Sequence, residues 1–327
     1  MIANRVWKHL FGQGLVSSVD NFGVTGDQPS HPKLLDHLAL RFIRDGWSIK
    51  KLVRAVVLTR AYQLGSESSS ENATLDPANR LVWRHSPRRL DAEEIRDATL
   101  AASGKLVLSR QEASPAKDFK VIEMRNNGVE ARRLLEGAVV SPHRSIYLPL
   151  LRGITPASLE VFDFAQQGLV TGNRETTTVA TQALYLLNDP FVRRKAVSLA
   201  ERVLAPADLD DAARIDLAYR LTLGRAPTPS EVSRVTSYLA DYEVAARDVL
   251  GSKVAAADEK PVEVAAAEPA ATGNTNATAV QVVNPDQNAR EEEPVKEESL
   301  EPKNPKTAAW ASFSQALLGS AEFRFLK

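Results

Sequence analysis

The feature that most constrains this chain is a period: apolar residues recur three and four apart, in blocks that open on capping residues and close on glycine. Val6, Trp7, Leu10 and Phe11 share one side of a first helix that stops at Gly12. Pro32 suits a first helical position, and Leu34, Leu35, Leu38, Phe42 and Ile43 form a stripe ending at Gly46. Ser48 caps the next helix, with Ile49, Leu52, Val53, Val56 and Val57 inward and Lys50, Lys51 and Arg54 outward. So short a turn predicts a helical hairpin. Ser66 to Asn72 reads as a polar loop. Asp91 and Glu94 then form a capping box for a helix ending near Gly104, on whose surface Arg96 is expected to pair.

Further helical signals run from Thr181 to Leu187, from Pro190 to about Leu204, and from Asp211 to Leu223 with a stop at Gly224. Thr228 and Glu231 make a second capping box, opening a helix whose Val232, Val235, Leu239 and Tyr242 recur at helical spacing. Trp310, Phe313 and Leu317 repeat the pattern in a last amphipathic helix expected to pack against it. Between about 105 and 175 the signal weakens, and Ser145 to Leu150 reads as a short extended segment limited by Pro149. No repeat of 20 to 50 residues is present. The predicted fold is a mainly α, multi-helix globular protein with few or no strands.

Residues 251–306 break the pattern. They carry no aromatic residue and no apolar period, and their eleven acids against six bases leave a net charge of −5. Such composition reads as a disordered acidic insertion, tolerable as an external loop because closure cost grows only logarithmically with length. The organisation expected is an N-terminal helical part over 1–110, a C-terminal helical part over 111–250, the insertion over 251–306, and a final helix over 307–327 packing back on the body. The whole chain is neutral, so the remainder carries +5, too little for a concentrated nucleic-acid-binding face.

Chemistry is bounded by what is missing. With no cysteine there is no disulfide, thiolate zinc site, iron–sulfur cluster, c-type haem attachment or cysteine nucleophile. Phosphate-loop, zinc-helix, nucleophile-elbow and dinucleotide signatures are absent. His9, His31 and His37 fall near Asp20, Asp27 and Asp36, but no two of these histidines stand at the i, i+4 spacing of a helical metal site. Neither metal nor cofactor is therefore expected. No run of about 18 apolar residues predicts a membrane span, and no signal peptide opens the chain. The chain starts directly in a helix, so missing upstream sequence is expected.

Two polar blocks stand out. One is the loop from Gly12 to Pro32, rich in Gly, Asn and Asp, of the kind that carries binding groups on a rigid scaffold. The same residues also serve turns, since glycine accepts positive φ and Asn and Asp satisfy turn backbones. The other is Arg88 to Asp97, where capping accounts for Asp91 and Glu94. The candidate site drawn from them is Arg5, His9, Asp20, Asn21, His31, Arg88, Arg89 and Asp91, expected to meet around the loop joining the first two helices.

Asn4-Arg5-Val6-Trp7-x-His9-x-Phe11-Gly12-x-Gly14-Leu15-Val16, Asp20-Asn21-Phe22-Gly23, Pro29-Ser30-His31-Pro32-x-Leu34-Leu35-Asp36, Arg88-Arg89-Leu90-x-Ala92-Glu93-x-Ile95-Arg96-Asp97, Arg144-Ser145-Ile146-Tyr147-Leu148-Pro149 and Gln182-Ala183-Leu184-Tyr185-Leu186-Leu187-Asn188-x-Pro190-Phe191-Val192 follow one another in order. This succession resembles domain-of-unknown-function family 1553 over nearly the whole chain outside the insertion. Ala180-Thr181 departs from it, standing where the family pattern has prolines. The resemblance implies the C-terminal part of a large exported planctomycete protein with an upstream cytochrome c domain and a companion domain, and hence a periplasmic or extracytoplasmic setting. It names no reaction.

Two functions compete. One is a non-catalytic helical interaction module that docks onto upstream domains or a polymeric carbohydrate; such a module should expose an apolar patch. The other is a hydrolase or lyase acting on complex carbohydrate through a His/Asp/Arg cluster, which requires those side chains to converge with perturbed proton affinities.

Overall fold

The computed structural model describes residues 1–111, 136–150, 155–165, 168, 171–258, 302 and 304–326, with backbone alone over 249–258. Helix α1 spans Ile2–Phe11, α2 Pro32–Arg44, α3 Ile49–Val57, α4 Ser70–Leu75 and α5 Ala92–Ala102. They are followed by α6 at Ala157–Glu160, α7 at Ala180–Asn188, α8 at Pro190–Leu204, α9 at Asp211–Leu223, α10 at Pro229–Asp258 and α11 at Pro305–Gly319. Residues 136–140 are also helical. The protein is mainly α, as the period predicts.

The capping residues set these boundaries. Gly12, Gly46, Gly104 and Gly224 all take positive φ at or just past helix ends. The side chain of Ser48 accepts a hydrogen bond from the Lys51 N–H at 3.3 Å, and that of Asp210 from Ala213 at 2.8 Å. Both capping boxes form: Glu94 Oε2 accepts the Asp91 N–H at 2.8 Å, and Glu231 Oε2 accepts the Thr228 N–H at 2.6 Å.

Three apolar cores result. α1, α2 and α3 enclose Trp7, Phe11, Leu38, Phe42, Leu52 and Val56. The face of α5 bearing Ala92, Ile95 and Leu100 packs with Leu159, Phe162, Leu186 and Phe191. Ala102, at the end of the same helix, joins α8 to α11 in the third core around Leu199, Ile215, Trp310 and Leu318. α5 thus serves two cores, and Arg202 of α8 secures its C-terminus by donating to the Ala101 and Ala102 carbonyls at 2.9 and 2.8 Å. Burying each large apolar side chain contributes about 1.5–3 kcal/mol.

Several sequence expectations are corrected here. The end of the polar loop read over Ser66–Asn72 is helical, because Ser69 caps α4; this helix buries none of its residues and so leaves no periodic signature. Ser145–Tyr147 is a 3-10 turn rather than an extended segment: the Ser145 N–H and hydroxyl both donate to Asp97 Oδ1 at 2.7 Å and fold the chain there. α11 packs against α10 as expected, but it is a central helix rather than a one-sided amphipathic one. Ala309, Trp310, Ala311, Phe313, Ser314, Leu317 and Leu318 are all buried. Arg96 lies in the interior, 2% exposed, where a surface pair was expected.

Of the stretch read as a disordered insertion, residues 259–301 and 303 lie outside the described residues. Its first part continues α10 to Asp258, and its last residues belong to the start of α11 at Pro305. One small sheet is present among the described residues: β1, Arg88–Arg89, pairs antiparallel with β2, Phe325–Leu326, with Arg88 opposite Leu326 and Arg89 opposite Phe325. The Leu90 N–H extends the ladder to the Arg324 carbonyl at 2.8 Å. The chain end is thereby tied to the segment that leads into α5. No helix among the described residues is long and apolar enough to cross a membrane.

Candidate functional site

α1 presents Arg5, Lys8 and His9 towards the loop after it and towards the N-terminus of α5. Asn4 holds that loop close. It is fully buried, its amide donating to the Val16 carbonyl at 3.0 Å while its carbonyl accepts the Val16 N–H at 2.9 Å. Gly14 has no Cβ because one would lie 2.5 Å from the Val16 carbonyl oxygen and 3.0 Å from the Asn4 amide. With the loop so clamped, Asp20 reaches back to Arg5 at 3.3 Å.

The segment 171–177 closes over this arrangement. Lys8 Nζ donates to the Gly172 carbonyl at 2.5 Å, and the Asp20 carboxylate lies so close to Gly172 that a Cβ there would fall 2.0 Å from its oxygen. Arg174 forks onto Glu93 at 2.5 and 2.8 Å, and Arg88 forks onto Glu94 at 2.8 and 2.7 Å. Arg89, 5% exposed in its side chain, pairs with Asp163 at 2.7 Å and donates to the Thr177 carbonyl. Asp163 also accepts from the Thr177 N–H and hydroxyl at 2.9 and 2.7 Å, which accounts for its tolerated left-handed φ of 61°.

The electrostatics follow from this crowding. Burial lowers the proton affinity of Lys8; Asp91 and Asp20 oppose that effect, and Arg174 and Arg5 reinforce it. Burial pushes the Glu94 carboxyl up, but the hydrogen bonds from Arg88 and the Asp91 N–H, with the nearby His9, outweigh it and leave Glu94 below the ordinary carboxylate range. The balance at Asp163 is the same: burial raises it, while Arg89 and Thr177 bring it below its usual value.

Of the sequence-derived candidates, Arg5, Asp20, Arg88, Arg89 and Asp91 share this network of ion pairs and caps, while His9 is exposed on α1 and reaches the network only as a charge near Glu94. Asn21 and His31 bond elsewhere. The Asn21 amide closes a turn on Thr25, donating to its carbonyl and accepting from its hydroxyl at 3.0 Å each, and His31 opens α2 with Nδ1 3.0 Å from the Ser30 hydroxyl. The described pocket, about 30 Å³, is lined by Trp7, Phe11, Ser17, Ser30, Asn79 and Val82 among others, and by none of the eight candidates.

Lys8, Arg174, Asp163 and Thr177 join the network without having been singled out in the sequence. Lys8 sits inside the first conspicuous block, whereas the other three lie where periodicity is weak and nothing local announces them. Arg96, also on α5, ties down a different segment. It donates to the carbonyls of Ser141, His143 and Ala138 at 2.6, 3.0 and 3.2 Å and to the Ser145 hydroxyl at 3.3 Å. Among the described residues no group of three or more His, Asp or Glu side chains is placed to hold a metal ion.

No curated protein and no solved structure matches the chain. Residues 1–239 match the family model described as "Protein of unknown function (DUF1553)", and the pairing of its ordered polar blocks across α1, α5 and the 171–177 segment is therefore the architecture of a chain that belongs to that family.

Proposed function

We propose that this chain is a non-catalytic helical interaction module of a larger exported protein, serving to bind that protein's upstream domains or a polymeric carbohydrate. The observation that carries the reading is the pairing just described. Four carboxylates around these elements are held by arginines: Glu94 by Arg88, Glu93 by Arg174, Asp163 by Arg89 and Asp20 by Arg5. Such mutual satisfaction positions α1, α5 and the 171–177 segment, and it spends the groups that a hydrolase needs free to exchange protons with substrate. The cytochrome-c-linked planctomycete setting is part of this proposal and comes from the family resemblance.

One observation favours the second reading, a carbohydrate hydrolase or lyase. Lys8 is half-buried, has a lowered proton affinity, and stands among Asp20, Asp91, Arg5 and Arg174, the surroundings of a lysine suited to act as a base. One experiment separates the two. The purified chain is incubated with a panel of neutral, uronic and sulfated polysaccharides, and both co-sedimentation and the release of reducing ends or unsaturated uronates are measured. The module reading expects retention on a polymer or on the upstream domains with no product. Product release that disappears in a folded Lys8→Met variant overturns it.

A further inference from the structure

The α2–α3 hairpin carries an arrangement that neither its helical packing nor the ion-pair network uses. Its inner side is explained: Leu38, Phe42, Leu52 and Val56 are buried against α1. Its outer side and tip are not. Leu40 is 67% exposed, Ile43 49%, Trp47 66% and Ile49 54%, although the period of the sequence assigns Ile43 and Ile49 to the inward stripe.

The tip is built to hold Trp47 outward. The Trp47 N–H bonds to the Phe42 carbonyl at 2.9 Å and the Gly46 N–H to the Ile43 carbonyl at 3.0 Å, the hydrogen-bond pair of a Schellman motif. Its customary apolar contact is the edge-on packing of Trp47 against Phe42, with ring centroids 5.4 Å apart. That contact leaves most of the indole in solvent. Trp47 also takes a left-handed φ of 59°, unfavourable for a bulky residue, so the conformation is imposed on the one side chain least suited to free exposure.

Charge accompanies this apolar tip. From Lys33 to Arg60 seven cations stand against two acids, a net of +5 that equals the whole excess outside the acidic stretch. One of those acids, Asp45, is paired with Arg41 at 3.4 Å. Arg44, Lys50 and Arg54 are exposed around the apolar residues, and α3 contains no acidic residue.

We propose that the α2–α3 hairpin docks on an anionic lipid bilayer surface, with Ile43, Trp47 and Ile49 entering the headgroup region and Arg44, Lys50 and Arg54 meeting lipid phosphates. Charge complementarity selects this occupant. Basic residues ringing exposed aliphatic side chains match a negatively charged interface, and tryptophan prefers that depth because its ring is apolar and its N–H is polar. A nucleic acid would satisfy the cations but leave Leu40, Ile43 and Ile49 against a polar polymer. A second copy of this surface would set like charges against like. The inference concerns a different surface from the proposed function and does not depend on it.

The test uses the full chain and two vesicle types, phosphatidylcholine alone and phosphatidylcholine with phosphatidylglycerol, in co-sedimentation and tryptophan emission. Binding is expected to the anionic vesicles only, to weaken as salt is raised, and to shift emission to the blue; of the four tryptophans Trp7 and Trp310 are buried and Trp83 is half-buried with its indole N–H bonded to the Asp76 carbonyl at 3.0 Å, so Trp47, at the hairpin tip, is the one placed to report it. Trp47→Gly, which suits the left-handed backbone, should abolish the shift. Lys50→Glu with Arg54→Glu, both on exposed side chains, should weaken partitioning at least about tenfold while circular dichroism stays unchanged. This pair keeps the test decisive should Trp47→Gly fail to fold. Equal binding to both vesicle types, equal binding of wild type and charge variants, absence of binding, or a vesicle-free dimer dispersed by either variant overturns the proposal.

Discussion

Replacing Arg96 tests most directly how α5 organises the protein. The guanidinium is 2% exposed and lies 5.5 Å from the centroid of the Phe191 ring. Its nearest described carboxylate, Asp97, stands 3.9 Å away, so the charge is held mainly by three carbonyls and one hydroxyl of the 138–145 segment. Arg96→Met keeps most of the stem and its packing on Phe191 but deletes all four bonds. A hydrogen bond to a charged group contributes about 1.5–3 kcal/mol, and four of them share only two nitrogens here. Part of that loss is offset because the variant no longer buries a cation at all. The net expectation is a destabilisation of about 3–5 kcal/mol. Arg96→Lys should recover about half, since one ammonium cannot reach acceptors spread along a planar fork. Urea unfolding followed by far-ultraviolet circular dichroism gives both values, and hydrogen exchange should show Ser145–Leu148 losing protection first. A loss below about 1 kcal/mol for Arg96→Met, with exchange at Ser145 unchanged, would refute the claim that this residue pins the 138–145 segment to α5.

Three further outcomes follow from the same structure. Gly14→Ala should cost about 1–3 kcal/mol in thermal unfolding, because the added Cβ meets the Val16 carbonyl at 2.5 Å and the buried Asn4 amide at 3.0 Å. Trp310→Ala, at a residue 1% exposed in the centre of the third core, should cost about 3–5 kcal/mol in chemical denaturation and show that α11 is integral to the body although it lies beyond the matched residues 1–239. Glu231 is held at about 2 by its hydrogen bonds from Arg225 and the Thr228 N–H, against an ordinary 4.5. A carboxyl depressed in the folded state contributes stability that is complete above the unfolded value and is lost as pH falls through the folded one. Wild type should therefore lose more stability than Glu231→Gln on acidification from pH 4.5 to about 2. Equal pH slopes for the two proteins, measured by urea midpoints, would count against the pairing.

The pairings around the conspicuous polar blocks were unevenly legible in the sequence, and the reason is the separation over which each interaction acts. Asp91 and Glu94 announce their capping box three residues apart, and Arg88 reaches Glu94 only six residues away. Arg89 finds Asp163, Arg174 finds Glu93 and Lys8 finds Gly172 across 74, 81 and 164 residues, where no spacing rule operates. Asn21 and His31 looked like site residues because turns and helix starts use the same side chains that binding sites use.

By itself the sequence determined the longer helices and most of their ends, though not the short α4 and α6, because caps, glycine stops and the 3.6-residue period act within a turn or two of chain. It also determined the family, through blocks whose order survives without any three-dimensional information. Tertiary structure alone decided that Arg96 is buried, that α11 is central rather than one-sided, that Ser145–Tyr147 turns instead of extending, and that β1 pairs with a strand at the far end of the chain. Each of these depends on which surface a residue meets after collapse. A side chain's chemistry states what partner it needs, whereas only packing determines which distant segment supplies one.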